Sequence, residues 1–173
     1  LGHLPIVEGL GLEVRGDFGL NVFNSRALAF LRELGLASAT VSFELRHQQV
    51  RDLAKLLPCE GIVYGRLPLM VMENCITKNN VGCRHGAGST LTDRTGAQFP
   101  VQCVYGCRNE IENSLPLFLA DKAEWRGCGL TSARLRFTTE TADECAAVLR
   151  RYRGEGDYAP EKYTRGLFYR GVE

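Results

Sequence analysis

Residues 64–109 read YGRLPLMVMENCITKNNVGCRHGAGSTLTDRTGAQFPVQCVYGCRN, and the fold expected of the chain turns on how this stretch sits among its neighbours. Upstream of it, short apolar strands alternate with helical segments; inside it that rhythm stops. Four of the seven cysteines, Cys75, Cys83, Cys103 and Cys107, fall within it, separated by seven, nineteen and three residues. Thiolates are soft ligands, suited to zinc or to iron–sulfur clusters. The spacing matches neither the paired C-x-x-C of zinc ribbons nor the compact run of ferredoxins, so it points to a metal centre without choosing between the two. Free cysteines are also common space fillers. That reading suits Cys59, Cys128 and Cys145, at a helix end or within helical segments, and suits the loop cysteines poorly.

Before this stretch, residues 18–23 read as a strand ending at Asn24, with Ser25 placed to cap the next helix. In SRALAFLRELGL, Leu28, Leu31 and Leu34 recur at helical spacing and Gly35 supplies the stop. The pattern repeats with a strand over 39–43 and a helix in RHQQVRDLAKLL, which carries Val50, Leu53, Leu56 and Leu57 on one side and closes at Pro58. A third strand, over 61–64, is apolar almost throughout, as a strand covered on both faces would be. After an apolar run over 67–72 come Cys75 and the loop NNVGCRHGAGS, too rich in Gly and Asn for helix. LTDRTGAQFPV predicts a hairpin turning near Thr95 and Gly96. A helix is predicted over 117–125, a strand over 133–137 and a closing helix over 141–152 capped by Thr141.

Strands alternating with helices imply a mostly parallel sheet with right-handed crossovers. Four such strands are half of what closes a (β/α) barrel. The chain therefore reads as α/β: the carboxyl-terminal half of a (β/α)8 TIM-like barrel over 16–153, with a cysteine-bearing loop and β-hairpin inserted at 73–112. A linker over 1–15 precedes it and an aromatic, basic tail over 154–173 follows. The missing amino-terminal half would come from a longer chain or a partner; a complete open-sheet α/β domain is the alternative. Parallel barrels place their sites at the carboxyl ends of strands. There the three strands end in Asn24 and Ser25, in Ser42 and Glu44, and in Tyr64 and Arg66. Asn24, Glu44, Tyr64 and Arg66 are the candidate substrate-binding residues.

Lysine plus arginine number 21 against 20 acidic residues, a formal charge of +1, so no global field favours nucleic acid or membrane. A polyanion contact must then be local: Arg84, Arg108, Arg134, Arg136, Arg150, Arg151, Arg153, Arg165 and Arg170 are the candidates, the last two interleaved with Tyr163, Phe168 and Tyr169, as RNA base stacking requires. No apolar run approaches the ~20 residues of a membrane helix, and the opening residues are not expected to act as a signal peptide. An odd cysteine count in a chain of this size predicts a reducing compartment, the cytoplasm. His85, two residues after Cys83, is a reserve ligand, while His47 reads as a solvated helix position. No H-E-x-x-H, G-x-S-x-G or P-loop is present.

YGRLPLMVMENC, the upstream NVFNS and SFEL, CRN after the hairpin and the closing YTRGLFYRGVE together resemble the collagenase-like peptidases of the unknown-mechanism peptidase family 32, which also contains RNA-hydroxylation and ubiquinone-hydroxylation proteins. The resemblance runs from about Gly16 to Glu173 and corresponds to the carboxyl-terminal part of the family domain. It implies a (β/α) barrel and a four-iron–four-sulfur cluster held by cysteines after the YGRLPLM strand. Cys75 sits at a cluster-cysteine position and Cys83 fills the next. Pro68 stands where the hydroxylation members have a further cysteine, so Cys103 and Cys107 complete the set. Leu167 stands where the tail pattern has His. The implied activity is hydroxylation of an RNA nucleobase, with collagenase-like proteolysis of a peptide as the alternative. A metal-stabilised binding module, with zinc in place of the cluster, is the non-enzymatic one.

Overall fold

The computed structural model describes residues 1–83, 89–105 and 107–172, with the side chain of Val81 left aside. Five α-helices and nine strands are described, and the strands form two sheets that close no barrel. The chain divides into two compact units, one of residues 1–64, 118–135 and 165 onward, the other of 65–117 and 136–164.

In the first unit, β1 (Arg15–Gly16), β2 (Ser38–Thr40) and β3 (Cys59–Gly65) pair in parallel, Gly16 beside Ala39 and Thr40 beside Glu60. Helices α2 (Ser25–Glu33) and α3 (His47–Leu53) make the two crossovers; α1 (Leu4–Val7) is a single turn near the start. At nine residues α2 is too short to persist alone in water. It is held by Leu28, fully buried, and Leu31, each contributing roughly 1.5–3 kcal/mol on leaving water. Its cap is Asn24, one residue before the predicted Ser25: Asn24 Oδ1 accepts from the Ala27 N–H at 2.9 Å. Residues 18–20 form a 3-10 turn where a strand was expected, and only Val22 bridges to Val41. The sheet order is β1-β2-β3-β8, with β8 (Leu117–Phe118) and β9 (Ser132–Arg136) both laid against β3. The predicted helix over 117–125 is thus a two-residue strand and a loop.

The second unit corrects the barrel expectation. The apolar run after β3 does not continue the parallel series: it is β4 (Pro68–Met72), an edge strand of a separate antiparallel sheet ordered β4-β7-β6-β5. Its other strands are β5 (Ser89–Thr92), β6 (Gln98–Val104) and β7 (Arg108–Glu112). A half barrel would need each new strand beside its predecessor, in parallel. Here β4 pairs antiparallel with β7, Met70 beside Ile111 and Met72 beside Asn109. The half barrel, on which a missing amino-terminal half was predicted, is therefore not what the chain forms. The expected insertion is an independent sheet.

The β5–β6 hairpin turns where expected. Asp93 Oδ1 accepts from the Thr95 N–H at 2.8 Å, the Thr95 hydroxyl at 2.7 Å and the Ala97 N–H at 3.0 Å, and Gly96 takes the positive φ of 85°. These donors, the Thr95 hydroxyl first, hold the Asp93 carboxyl below the usual range. Between β4 and β5 stands α4 (Ile76–Val81), whose last three residues are the first three of the stretch 79–89 predicted as loop; residues 84–88 of that stretch lie outside the described residues.

The last helix of the unit is α5 (Ala142–Arg153), capped by Thr141 as predicted: its hydroxyl accepts from the Glu144 N–H at 3.3 Å and Glu144 Oε2 accepts in return from the Thr141 N–H at 2.7 Å. Thr141→Ala is expected to lower stability by about 1 kcal/mol, read as a shift in urea midpoint with unchanged m-value.

Candidate functional site

Alternation along the strands of the second unit decides which side chains meet. In the β6–β7 ladder Val101 lies beside Ile111 and Cys103 beside Asn109; in the β4–β7 ladder Met70 lies beside Ile111 and Met72 beside Asn109. Residues two apart on a strand share a face. Met70, Met72, Val101, Cys103, Asn109 and Ile111 therefore line one face of the sheet. Over this face stands α4, pinned at its start by Thr77 Oγ1 to Ser89 Oγ at 2.9 Å. An apolar cavity of about 460 Å³ lies between them, walled by Met70, Met72, Ile76, Leu91, Val101 and Ile111.

At the end of that face where β6 turns into β7, two of the four candidate cysteines converge. Cys75 is the N-cap of α4 and is buried; its Sγ accepts from the Lys78 N–H at 3.4 Å. Asn109, fully buried, places Nδ2 3.6 Å from Cys75 Sγ, 3.5 Å from Cys103 Sγ and 3.2 Å from the Arg108 carbonyl, while its Oδ1 accepts from the Ile76 N–H at 2.7 Å. The Lys78 N–H first, then the Asn109 amide, hold the Cys75 thiol below its ordinary range against the opposing effect of burial.

Cys107 sits exposed in the turn between β6 and β7, and Cys83 is exposed two residues past the end of α4. All four thiols are free and belong to the same unit. Among the described residues no three His, Cys, Asp or Glu side chains are already gathered as a metal site. In kind the donors fit a soft metal: a buried thiol of lowered pKa, a second sharing its amide donor, and two exposed thiols beyond them. Arg84 and His85, the reserve ligand, lie outside the described residues.

Of the remaining cysteines, Cys59 and Cys128 are buried and Cys145 is half-buried. Burial pushes Cys59 up to about 11 and raises Cys128 as well.

The four expected rim residues are engaged by the fold. Asn24 spends its side chain on the α2 cap, Glu44 is half-buried beside Ser42, and Tyr64 is buried. Arg66, in the second unit, donates to the carbonyls of Asn113 and Ser114. Among the basic groups singled out for RNA, Arg134 is paired with Asp17 and Glu60, Arg136 with Glu110 and Glu112, Arg165 with Asp121, and Arg108 with Glu73. His47 stacks near Phe168 and Tyr169 rather than standing in solvent.

Sequence reasoning missed Asn109. Its signal was present, since asparagine is depleted in strands and this one falls in β7, two residues beyond a cysteine. No helix among the described residues is long and apolar enough to cross a membrane. Compared with known proteins, the chain matches no family model, no curated protein and no solved structure.

Proposed function

We propose that the chain is an iron–sulfur protein of the collagenase-like peptidase family 32 type that takes part in hydroxylation of an RNA nucleobase in the cytoplasm, with Cys75, Cys83, Cys103 and Cys107 as cluster ligands. The observation that carries this reading is the convergence of Cys75 and Cys103 on one buried amide, at the end of the sheet whose turn holds Cys107. The motif resemblance supplies the cluster and the substrate class. When bound, the cluster supplies one-electron chemistry.

The protein's own residues do the rest. Cys75 and Cys103 anchor the centre from the α4 cap and from β6. The apolar cavity beside Ile76 gives a flat, apolar group a wall of Met70 and Met72, whose thioethers favour aromatic rings. Its polar edge of Thr77, Asn80, Ser89 and Thr90 offers hydrogen bonds to a base.

Protein purified without oxygen is expected to be brown, with the colour lost in Cys75→Ser. RNA from cells lacking the gene is expected to lack one hydroxylated base, unrestored by a Cys107→Ser copy. A colourless, zinc-holding protein, or unchanged RNA modification in the deletion, overturns the proposal.

A second reading, peptide hydrolysis, has one observation in its favour. Strand β4 is at the sheet edge with Leu69, Met70 and Val71 more than half exposed, the form of edge to which an extended peptide adds as a further strand. Cleavage of collagen-like peptides that survives chelation and thiol blocking would favour it.

A further inference from the structure

We infer that Asn109 is the positioning residue of the cysteine centre, a single buried amide that orients Cys75 and Cys103 toward a common soft metal ion. This rests on the reading that those cysteines are ligands. Orientation is fixed by the Ile76 N–H, because of the two ends of the Asn109 amide only the oxygen can accept from it; Oδ1 must therefore face Ile76, and Nδ2 must face the sulfurs. Two N–H groups then serve three acceptors, the sulfurs of Cys75 and Cys103 and the carbonyl of Arg108.

The Ile76 N–H at the start of α4 calls for the oxygen of this residue, but nothing in the packing calls for its amino group. An uncharged thiol is a weak acceptor that needs no partner, and the neighbouring positions on the same face, Val101 and Ile111, are apolar. A metal-bound thiolate carries negative charge and gains from an N–H donor, and such outer partners orient ligands and tune the metal they hold. The two sulfurs also come from different elements, the cap of α4 and strand β6, so one amide ties the two halves of the ligand set together.

The test uses cobalt(II) as the probe, added to the metal-free full chain under reducing, oxygen-free conditions. Thiolate coordination appears as a sulfur-to-cobalt charge-transfer band. Asn109→Asp keeps the shape and the oxygen that meets Ile76 but replaces the donor with a second anionic oxygen facing the sulfurs. Its cobalt affinity is expected to fall by about 10–100-fold, with a changed ligand-field spectrum.

Ile76→Pro approaches the same amide from its other end. Ile76 is the first residue of α4, where proline is well tolerated, and Cys75 before it is already extended at φ −79° and ψ 99°. The substitution removes the N–H that fixes the amide and is expected to weaken cobalt binding in the same direction, with far-ultraviolet circular dichroism unchanged. It covers the case in which Asn109→Asp does not fold.

If the chain shows no charge-transfer band, or one that Cys75→Ser leaves intact, the centre itself is refuted and this inference with it. A band lost in Cys75→Ser but unchanged in affinity and spectrum in a folded Asn109 or Ile76 variant refutes the positioning role alone.

Discussion

Replacing Gly65 by alanine is expected to prevent the second unit from forming its native structure, with a loss of roughly 4–5 kcal/mol or failure to accumulate as folded protein. Gly65 has φ 112°, a region that residues with a Cβ rarely adopt. A Cβ there would also fall onto the carbonyl oxygen of Arg136 and lie 2.8 Å from its carbon. Both atoms are backbone, so no rotamer change relieves the contact. Sterics and strain act together where β3 meets β9, and neither strand can move without giving up its ladder. The measurement is a denaturant titration of purified protein, with Gly61→Ala as the comparison. At Gly61 a Cβ meets only the Leu130 side chain, at 2.7 Å, and a flexible leucine end can shift. Similar losses for the two variants would refute this account of Gly65.

Gly65 marks the point where the sequence stops being readable as a repeating α/β series. What could be read before it follows from local chemistry. Leu28 and Leu31 are spaced for one buried helix face, and the apolar 61–64 is a strand buried from Gly61 to Gly65. The Asp93–Gly96 turn and the Thr141–Glu144 box are likewise written in adjacent residues. What misled was non-local. Residues 67–72 are as apolar as a covered strand, yet Leu69, Met70 and Val71 are exposed, because the partner of β4 lies some forty residues on, in β7. Local pattern gives the period of a strand but not the identity of its neighbour. Leu117 and Phe118 belong to an apolar stretch that a helix would also accept, and pairing with β3 decides otherwise.

The candidate site divides in the same way. That four loop cysteines could bind a soft metal is a property of residue type and needs no structure. That Cys75 and Cys103 are the pair that meet depends on the β6–β7 register, which sets Cys103 beside Asn109, and on the α4 cap that carries Cys75 over the same face. Neither is encoded in cysteine spacing. The surroundings of the basic residues were hidden for a related reason. The carboxylate partners of Arg134, Arg136 and Arg165 lie far away along the chain, so local pattern does not show them.

One of those hidden pairs gives the second large effect: Arg136→Met is expected to cost about 3–5 kcal/mol at neutral pH, and much less in acid. The Arg136 guanidinium donates to Glu112 Oε2 at 2.8 Å, to Glu110 Oε1 at 2.5 Å and to the Arg66 carbonyl at 2.6 Å. Glu112 is fully buried, and its Oε1 has no hydrogen-bond partner among the described residues. Burial raises the Glu112 carboxyl above the usual range more strongly than Arg136 lowers it, so desolvation dominates despite the ion pair. A carboxyl raised in the folded protein contributes stability that is fully present below the unfolded carboxylate pKa and is lost as pH rises through the folded value. Removing Arg136 takes away the group that opposes the rise, so the folded value climbs further and the loss extends over a wider window. The wild-type and variant stabilities should therefore lie closest near about pH 4, where the carboxyl is neutral in both, and diverge toward about pH 8. Adding Glu112→Gln removes the buried charge, and the double variant should recover a large part of the neutral-pH loss. A penalty for Arg136→Met that stays flat across this range, or a double variant no more stable than the single one, would show that the lost hydrogen bonds to Glu110 and Arg66, and not the stranded charge on Glu112, set the cost.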